Sequence, residues 1–346
     1  LASGSWVLPH PFPIHHYVIE EEKRGNMLKT ANIFVTGGAG TLGMAIARRR
    51  KEEGWTGRLT VYSRDNHKHK AMRIKYPDVQ YVQGDIRTYD LLYNAMAGHD
   101  VVIHAAACKV IPDSELWSID TFDINVYGSR NVLAAARALN VAHVLAISTD
   151  KACHPANAYG ATKMLMEKEL QEYARVPGFE TQYHLVRYGN VLESNGSVVE
   201  AWKNAVARGE TIKITDPDMT RFLLSPKQAV DYVVEALKFE SGLIYVPKMP
   251  ALSIKKLAEY VLCPEDNIRL EDHHWERIPL RPGEKKHETL LTEEERAYCY
   301  DDIGLTYIIY PTTRDRAPEH KRPVIPFSSD VAQELTREEL MELLDD

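Results

Sequence analysis

Sulfur is scarce in this chain. Four cysteines occur among 346 residues, at Cys108, Cys153, Cys263 and Cys299, with no C-x-x-C pair and no metal-ligand spacing. That leaves neither a redox pair nor a zinc site, and reduced thiols in a cytoplasmic protein are the simplest reading. The His15-His16 and His273-His274 doublets lack further ligands, so no metal is expected. Long apolar runs are also missing. The longest, around 101–107, is far too short to span a bilayer, and no membrane partner is expected. No charge of one sign dominates: 42 Lys and Arg stand against 49 Asp and Glu, a net charge of -7 without a basic stripe, which argues against nucleic acid. Internal repeats and low-complexity tracts are absent. Residues 1–26, proline-rich at 9–13, match neither a secretory signal nor a membrane anchor. They read as an extension of unknown role, with Met27 a natural start for the folded domain.

What is present is an alternation. Short apolar runs at 31–36, 59–62, 79–82, 101–104, 144–147 and 182–186 are separated by helical patterns, notably 42–53, 116–139 and 158–173. Strands alternating with helices predict an α/β fold, a doubly wound parallel sheet of the Rossmann type with helices on both faces. After Asn190 the alternation loosens. Helical segments near 198–207, 226–239, 254–261 and 337–344 suggest a smaller, mixed α/β carboxyl-terminal substrate lobe. The expected organisation is therefore a nucleotide-binding domain over 27–190 that carries the catalytic residues. A substrate lobe over 191–346 is interleaved with it.

The first strand ends in Gly37-Gly-Ala-Gly40-Thr41-Leu42-Gly43, and a helix opens there. Glycines permit the tight turn and close approach of backbone to a pyrophosphate, while the helix amino terminus faces the negative charge. A dinucleotide is the expected ligand. The second strand ends in Tyr62-Ser63-Arg64, with an acid only at Asp65. A hydroxyl and a guanidinium suit a 2′-phosphate, which favours NADP. In the alternative, Arg64 is solvated, Asp65 holds the ribose and the cofactor is NAD. Asp85, before Ile86 and after the third strand, is placed to reach the adenine amino group, or else belongs to a helix N-cap region. Ala105, Ala106 and Ala107 let a cofactor lie close to the backbone after the fourth strand. His104 reads as a packed residue.

The most informative stretch is Ser148-Thr149-Asp150-Lys151 followed by Tyr159-Gly-Ala-Thr-Lys163. Tyr159 and Lys163 lie four apart on one helix face, so the ammonium can sit beneath the phenol and lower its pKa. Thr149, Asp150 and Lys151 follow an apolar strand and project from its carboxyl end, where open α/β sheets place their chemistry. An acid, an amine and a phenol together can remove water as well as shuttle a hydride.

These residues resemble the extended short-chain dehydrogenase/reductases. Within them, the chain is most similar to the soluble, C5-inverting UDP-N-acetylglucosamine 4,6-dehydratases of the polysaccharide biosynthesis family. The resemblance runs from about residue 31 to 344. It is carried by the glycine fingerprint, Tyr159-x-x-x-Lys163, Tyr62-Ser-Arg-Asp65, His104-Ala-Ala-Ala-Cys-Lys109-Val-Ile-Pro112 and Ser148-Thr-Asp-Lys151. Val186-Arg-Tyr-Gly-Asn-Val191, Met219-Thr-Arg-Phe222 and Arg281-Pro-Gly-Glu-Lys285 add to it.

The resemblance implies roles. Tyr159, assisted by Lys163, takes the proton of the sugar 4-hydroxyl as hydride leaves C4, and Thr149 positions that hydroxyl. Lys151 is the base at C5 and Asp150 protonates the departing 6-hydroxyl. The hydride returns to C6. For Lys151 to act as a base it must be neutral, and a buried site with Lys163 nearby would depress its pKa. Taken alone, Lys151 would read as a surface loop lysine. Lys109, Asn190, Ser194, Ser197, Arg221, Arg281 and Glu284 match substrate-contact positions for a UDP-sugar. Arg221 has a second reading as a surface partner of Asp216 or Asp218. Homo-oligomers, dimers or hexamers, are the family's habit. The chain departs from the family pattern at Glu193 and Asn195, where Gly and Arg are usual, and at Cys153-His154, where Val-Asn or Ala-Asn is common.

Three rivals follow. A non-inverting 4,6-dehydratase shares the same groups. A 4-epimerase has no need of Asp150 and Lys151, since it keeps the 6-hydroxyl. A non-catalytic NADP-binding regulator on the same fold predicts erosion of Asp150, Lys151, Tyr159 or Lys163, and all four stand.

Overall fold

The structure is a computed structural model that describes residues 27–192, 198–263, 270, 274–302, 306–311 and 327–346. Residues 1–26 and the departures at Glu193 and Asn195 lie outside the described residues. So do Ser194 and Ser197. No described helix is long and apolar enough to cross a membrane.

Six strands are made first: β1 (Ile33–Thr36), β2 (Leu59–Ser63), β3 (Gln80–Gln83), β4 (Val101–His104), β5 (His143–Thr149) and β6 (Gln182–Tyr188). They pair in parallel in the order 3-2-1-4-5-6. The distal half supplies β7 (Asn190–Val191), β8 (Ile212–Ile214), β9 (Thr220–Leu224), β10 (Ile244–Pro247), β11 (Ala251–Ser253), β12 (Trp275–Arg277), β13 (Thr289–Leu291), β14 (Cys299–Asp302), β15 (Thr306–Ile309) and β16 (Phe327–Ser328). Of these, β10 extends the main sheet in parallel beyond β6, and antiparallel β15 and β14 complete nine strands. The expected doubly wound sheet is therefore present, and its far edge is built from the distal half of the chain.

Burial on both faces explains the apolar runs. All four residues of β1, of β4 and of β10 are buried, whereas edge strand β3 alternates little and stays partly exposed. Register then sets the crest. Thr36 pairs with Tyr62 and with His104, so β1 and β4 end level and β2 runs one residue further. The seven-residue β5 runs on beside β6 until Thr149 meets Tyr188. This overshoot lifts Thr149, level with Tyr188, above the ends of β1, β2 and β4. A second apolar core lies outside the sheet, formed by Leu192, Trp202, Ile212, Leu223, Leu257 and Leu340 with their neighbours.

One expected element differs. The pattern over 116–139 is not one helix: Ile111–Leu116 and Ser118–Phe122 lead into a π-helical turn, Asp123–Gly128, and only then Ser129–Ala138. The wide turn has a use. It carries Asn125, buried, whose side chain accepts from Cys108 N and donates to the Cys108 carbonyl and to Thr162 Oγ1 at 2.8, 2.9 and 3.0 Å. One amide thus fixes the loop after β4 to the helix that bears Tyr159. Apolar periodicity persists through a π-turn, so the sequence pattern could not reveal it.

Candidate active site

Thr149 ends β5 in an extended conformation, and Asp150–Ala152 turn immediately into one 3-10 turn. The next helix, Ala158–Arg175, is capped by Asn157, whose side-chain oxygen accepts from Gly160 N at 2.7 Å. A methyl group on Gly160 would lie 2.2 Å from the Lys151 carbonyl oxygen, so only glycine lets this helix abut the catalytic turn. That contact places Tyr159 near Thr149 and Lys151.

Of the five groups expected to act together, Thr149, Asp150, Lys151 and Tyr159 converge. Thr149 Oγ1 donates to Asp150 Oδ1 at 2.8 Å, and Lys151 Nζ donates to the same oxygen at 2.9 Å. Asp150 is fully buried, and the Lys151 side chain is 13% exposed. Lys151 is therefore no surface loop lysine. The Tyr159 ring is half-buried, but its hydroxyl end is enclosed. That burial pushes the phenol up to about 12, against the opposing pull of Lys151 and Thr149.

Two electrostatic expectations are corrected. Lys163 is not the cation that pulls the phenol down; its Nζ rests against Met166 Sδ at 3.0 Å, and the opposing pull comes from Lys151. Burial pulls Lys163 itself down to about 8, countered by Glu167. Nor does Lys163 depress Lys151. Burial does act to lower the Lys151 pKa, but the carboxylates of Asp150 and Glu288 outweigh it and hold the amine above its usual value. In this state Lys151 is an ammonium.

Glu288 is the site residue that sequence reasoning missed. Its side chain is 3% exposed, and Oε1 lies 3.5 Å from Lys151 Nζ. It comes from the same loop as Lys285, which donates from Nζ to the Cys153 carbonyl at 2.5 Å. The expected Arg281 and Glu284 open that loop: Arg281 N donates to Glu284 Oε2, and Glu284 N to the Arg281 carbonyl, both at 3.1 Å. Asn157 Nδ2 donates to the Gly283 carbonyl at 2.9 Å, so the loop is clasped to the start of the catalytic helix. Arg221 joins it as well, with its guanidinium on the carbonyls of Lys285 and Lys286 at 3.0 and 3.2 Å. The surface partnership with Asp216 or Asp218 is not formed; Asp216 pairs with Arg277 at 3.4 Å.

Lys109 is exposed at the end of the loop after β4. Its enclosing surroundings, with the ammoniums of Lys68 and Lys151, lower its pKa. Mutually repelling cations of this kind favour a bound anion. Asn190 is exposed on β7, beside β9. His154 adopts φ 43, the left-handed region where Asn, Asp and His are enriched. That backbone requirement explains how His replaces the resemblance's Asn there.

Beneath the site lies a charged strut. Arg187 on β6 donates to Glu167 and to Glu295 and touches the Cys153 thiol, with Nη1 at 3.0 Å from Sγ. Burial pushes that thiol well above its usual value. Glu167 also accepts from Ser148 Oγ, adjacent to Thr149.

At the cofactor end, Gly37 has φ 66 and a methyl group there would meet the Ala106 backbone at 2.7 Å. Loop 37–43 and loop 105–107 are thus packed backbone to backbone. Gly40 caps the helix Thr41–Glu52 without any side-chain bond to its amides, which remain available to a phosphate. Leu42, Gly43 and Ile86 are buried supports. These features fit a dinucleotide. His104 is packed as expected, between Thr36 Oγ1 and Ser129 Oγ at 2.7 and 2.8 Å, and burial then Lys163 push it down to about 3. Asp65 Oδ1 accepts from Lys68 N at 3.0 Å, and Ser63 Oγ hydrogen-bonds with His69 Nε2 at 2.7 Å. Asp85 is gripped by Arg87 and lies 3.7 Å from Arg64, which is 56% exposed.

Comparison with known proteins agrees with this architecture. The model of a family described as polysaccharide biosynthesis protein matches residues 33–308. A UDP-glucose 4-epimerase of Rickettsia conorii is 38% identical over 300 residues, covering 84% of this chain and 85% of that protein. The crystal structure of Pen from Bacillus thuringiensis superposes with a TM-score of 0.82 at 30% identity, covering 92% and 98% of the two chains. DesIV of Streptomyces venezuelae, a dTDP-glucose 4,6-dehydratase, shares the fold with a TM-score of 0.65 at 21% identity, over 73% and 86%.

Proposed function

The chain belongs to the polysaccharide biosynthesis protein family, as a nucleotide-sugar-modifying extended short-chain dehydrogenase/reductase, and from that premise we propose that it is a 4,6-dehydratase. The substrate we assign is UDP-N-acetylglucosamine, with inversion at C5 giving UDP-2-acetamido-2,6-dideoxy-L-arabino-hex-4-ulose.

One observation carries this reading: a buried carboxylate and an amine, Asp150 and Lys151, share a hydrogen bond on the turn between Thr149 and Tyr159. Interconversion at C4 alone gives such a pair no task. Tyr159, in its phenolate form, accepts the 4-hydroxyl proton, with Thr149 fixing that hydroxyl. The resulting 4-ketone acidifies C5–H. Lys151 in its neutral form takes that proton, while Asp150 in its acid form donates to the 6-oxygen as the C6–O bond breaks and water leaves. The product of this step is the 4-keto-5,6-enone, which accepts hydride at C6 and a proton at C5. NADP, when bound, would supply hydride transfer from C4 and back to C6, so no net oxidation results.

Cofactor choice follows from what is already engaged. Asp65 caps the helix Asn66–Lys75 through Oδ1, while the half-exposed Arg64, 3.7 Å from Asp85, is within reach of a 2′-phosphate. This favours NADP over NAD. Lys109 and Arg221 are the cations we assign to the UDP diphosphate, with Asn190, Ser194, Ser197, Arg281 and Glu284 as further substrate contacts. A homo-oligomer, dimer or hexamer, belongs to the same proposal, and exposed Leu116, Trp117 and Ile119 give it an apolar surface.

The second reading is 4-epimerase, favoured by the name of the 38% identical Rickettsia conorii relative. Proton NMR of the protein with UDP-N-acetylglucosamine and NADP in heavy water separates the two. A new 6-methyl signal with deuterium at C5 supports dehydration, and ring coupling constants report inversion or retention. Conversion to the C4 epimer without a methyl signal would establish the epimerase instead. NADP binding with no conversion of any sugar nucleotide would leave the non-catalytic regulator.

A further inference from the structure

Lys151 is held by two carboxylates, only one of which its sequence neighbourhood supplies. The second arrives from 137 residues downstream. Glu288 cannot be a casual surface partner: its side chain is 3% exposed, and both of its backbone polar atoms are tied to Ser329. Glu288 N donates to Ser329 Oγ at 2.9 Å, and Ser329 N donates to the Glu288 carbonyl at 2.8 Å. Its Oε2 and Asp150 Oδ2 are both buried without a hydrogen-bond partner among the described residues. Lys285 Nζ lies 3.8 Å from Oε2. Two acids and two amines therefore form one chain of charge: Asp150, Lys151, Glu288, Lys285. An orphaned, buried carboxylate oxygen is costly, and its retention beside a functional amine calls for a purpose.

We propose that Glu288 is a positioning residue for the dehydration step, fixing the amine of Lys151 and setting, jointly with Asp150, which of the two carries the proton. The proposal rests on the 4,6-dehydratase reading for its chemistry, but its geometry does not.

The proton balance makes the role concrete. The reacting state needs Asp150 as an acid and Lys151 as a free amine. It is reached from the observed pair by one transfer along the 2.9 Å bond: an Nζ–H bond breaks and an Oδ1–H bond forms, with no external acid or base. After C5–H cleavage and departure of water, Lys151 holds the C5 proton and Asp150 is again ionised. The observed ion pair is thus the state that follows water loss. Throughout, Glu288 faces Lys285, whose Nζ lies 3.8 Å from Oε2. The Glu288 carboxylate, 3.5 Å from Lys151 Nζ, anchors Lys151 whenever the amine is charged. The other groups facing Lys151 are Tyr159, Arg221 and Lys109, and none of them is altered by the test.

The test reads Lys151 directly. Acetic anhydride labelling of Lys151, followed by peptide mass spectrometry across pH, reports the fraction of free amine without requiring turnover. In Glu288→Gln one negative charge is lost beside the ammonium, so the labelling midpoint should fall by about one pH unit. In Lys285→Met one positive charge is lost from the same chain, and the midpoint should rise. Lys163 in the same samples should keep its profile. In parallel, Glu288→Gln should lose at least about tenfold in 6-methyl formation, with its pH–rate ascent displaced downward, and Glu288→Asp should recover part of the rate. A Lys151 midpoint unmoved by either substitution overturns the proposal, whether or not one variant folds poorly. Failure of the wild-type protein to form a 6-methyl product would instead overturn the dehydratase reading, and the labelling would still judge Glu288.

Discussion

Arg187 grips Glu167 with two parallel hydrogen bonds, Nε to Oε1 at 3.0 Å and Nη2 to Oε2 at 2.7 Å, and both side chains are 2% exposed. The pair joins β6 to the catalytic helix directly beneath Ser148 and Thr149. Its value lies in being complete. A paired buried charge is close to neutral for stability, whereas one left alone is strongly destabilising.

Arg187→Leu should therefore cost about 3–5 kcal/mol, because it strands Glu167 in the core. Urea unfolding would show this as a lowered midpoint with a similar slope. A loss below about 1 kcal/mol would mean that Glu167 protonates or finds water, and that the strut is not structural.

Lys151→Ala should fold, bind NADP and fail to turn over. Removal of a general base costs about 10²–10⁴-fold, and here the amine has no substitute within the turn. Cofactor titration by fluorescence and product NMR on one preparation give both halves of the result. Turnover near the wild-type rate would remove Lys151 from the reaction.

Lys163 predicts a pH-dependent stability in protein without added cofactor. Burial lowers its pKa from 10.5 to about 8. Below pH 8 the lysine is protonated both folded and unfolded, and the folded state bears the full penalty. Between pH 8 and 10.5 the unfolded chain binds more protons than the folded one, so stability rises with pH across that window. The total is about 3 kcal/mol at 1.36 kcal/mol per unit. Lys163→Met should be the more stable protein at pH 7, and its advantage should fade by pH 10.5. A constant difference between the two urea midpoints would contradict this.

Arg64→Ala tests the cofactor. Loss of a charge-assisted phosphate contact worth about 1.5–3 kcal/mol should weaken NADP binding about ten- to a hundredfold and leave NAD binding unchanged. Equal weakening of both would place Arg64 elsewhere than at a 2′-phosphate.

Much of this could be read before any coordinates. The parallel sheet followed from buried apolar runs, and the convergence of Thr149, Asp150, Lys151 and Tyr159 followed from their place at a strand end and on one helix turn. These are local relationships, and local spacing encodes them. Glu288 was not legible because its proximity to Lys151 depends on how a loop from the distal half is clasped by Asn157 and Arg221. The burial of Lys163 was equally hidden: helical spacing says that it shares a face with Tyr159, but rotamer choice sends its amine to Met166. The π-turn at Asp123–Gly128 was invisible for a third reason, since one added residue in a turn hardly disturbs an apolar pattern.

The order of strands in the main sheet bears on how the molecule comes into being. On the ribosome, β6 is finished at Tyr188, but its open side is covered only when β10 arrives at Ile244. At about 5–20 residues per second, that edge waits several seconds with unpaired backbone groups and apolar neighbours uncovered. The nascent protein thus passes through a sticky half-sheet at every synthesis, and its yield in a cell depends on what shields β6 during that interval.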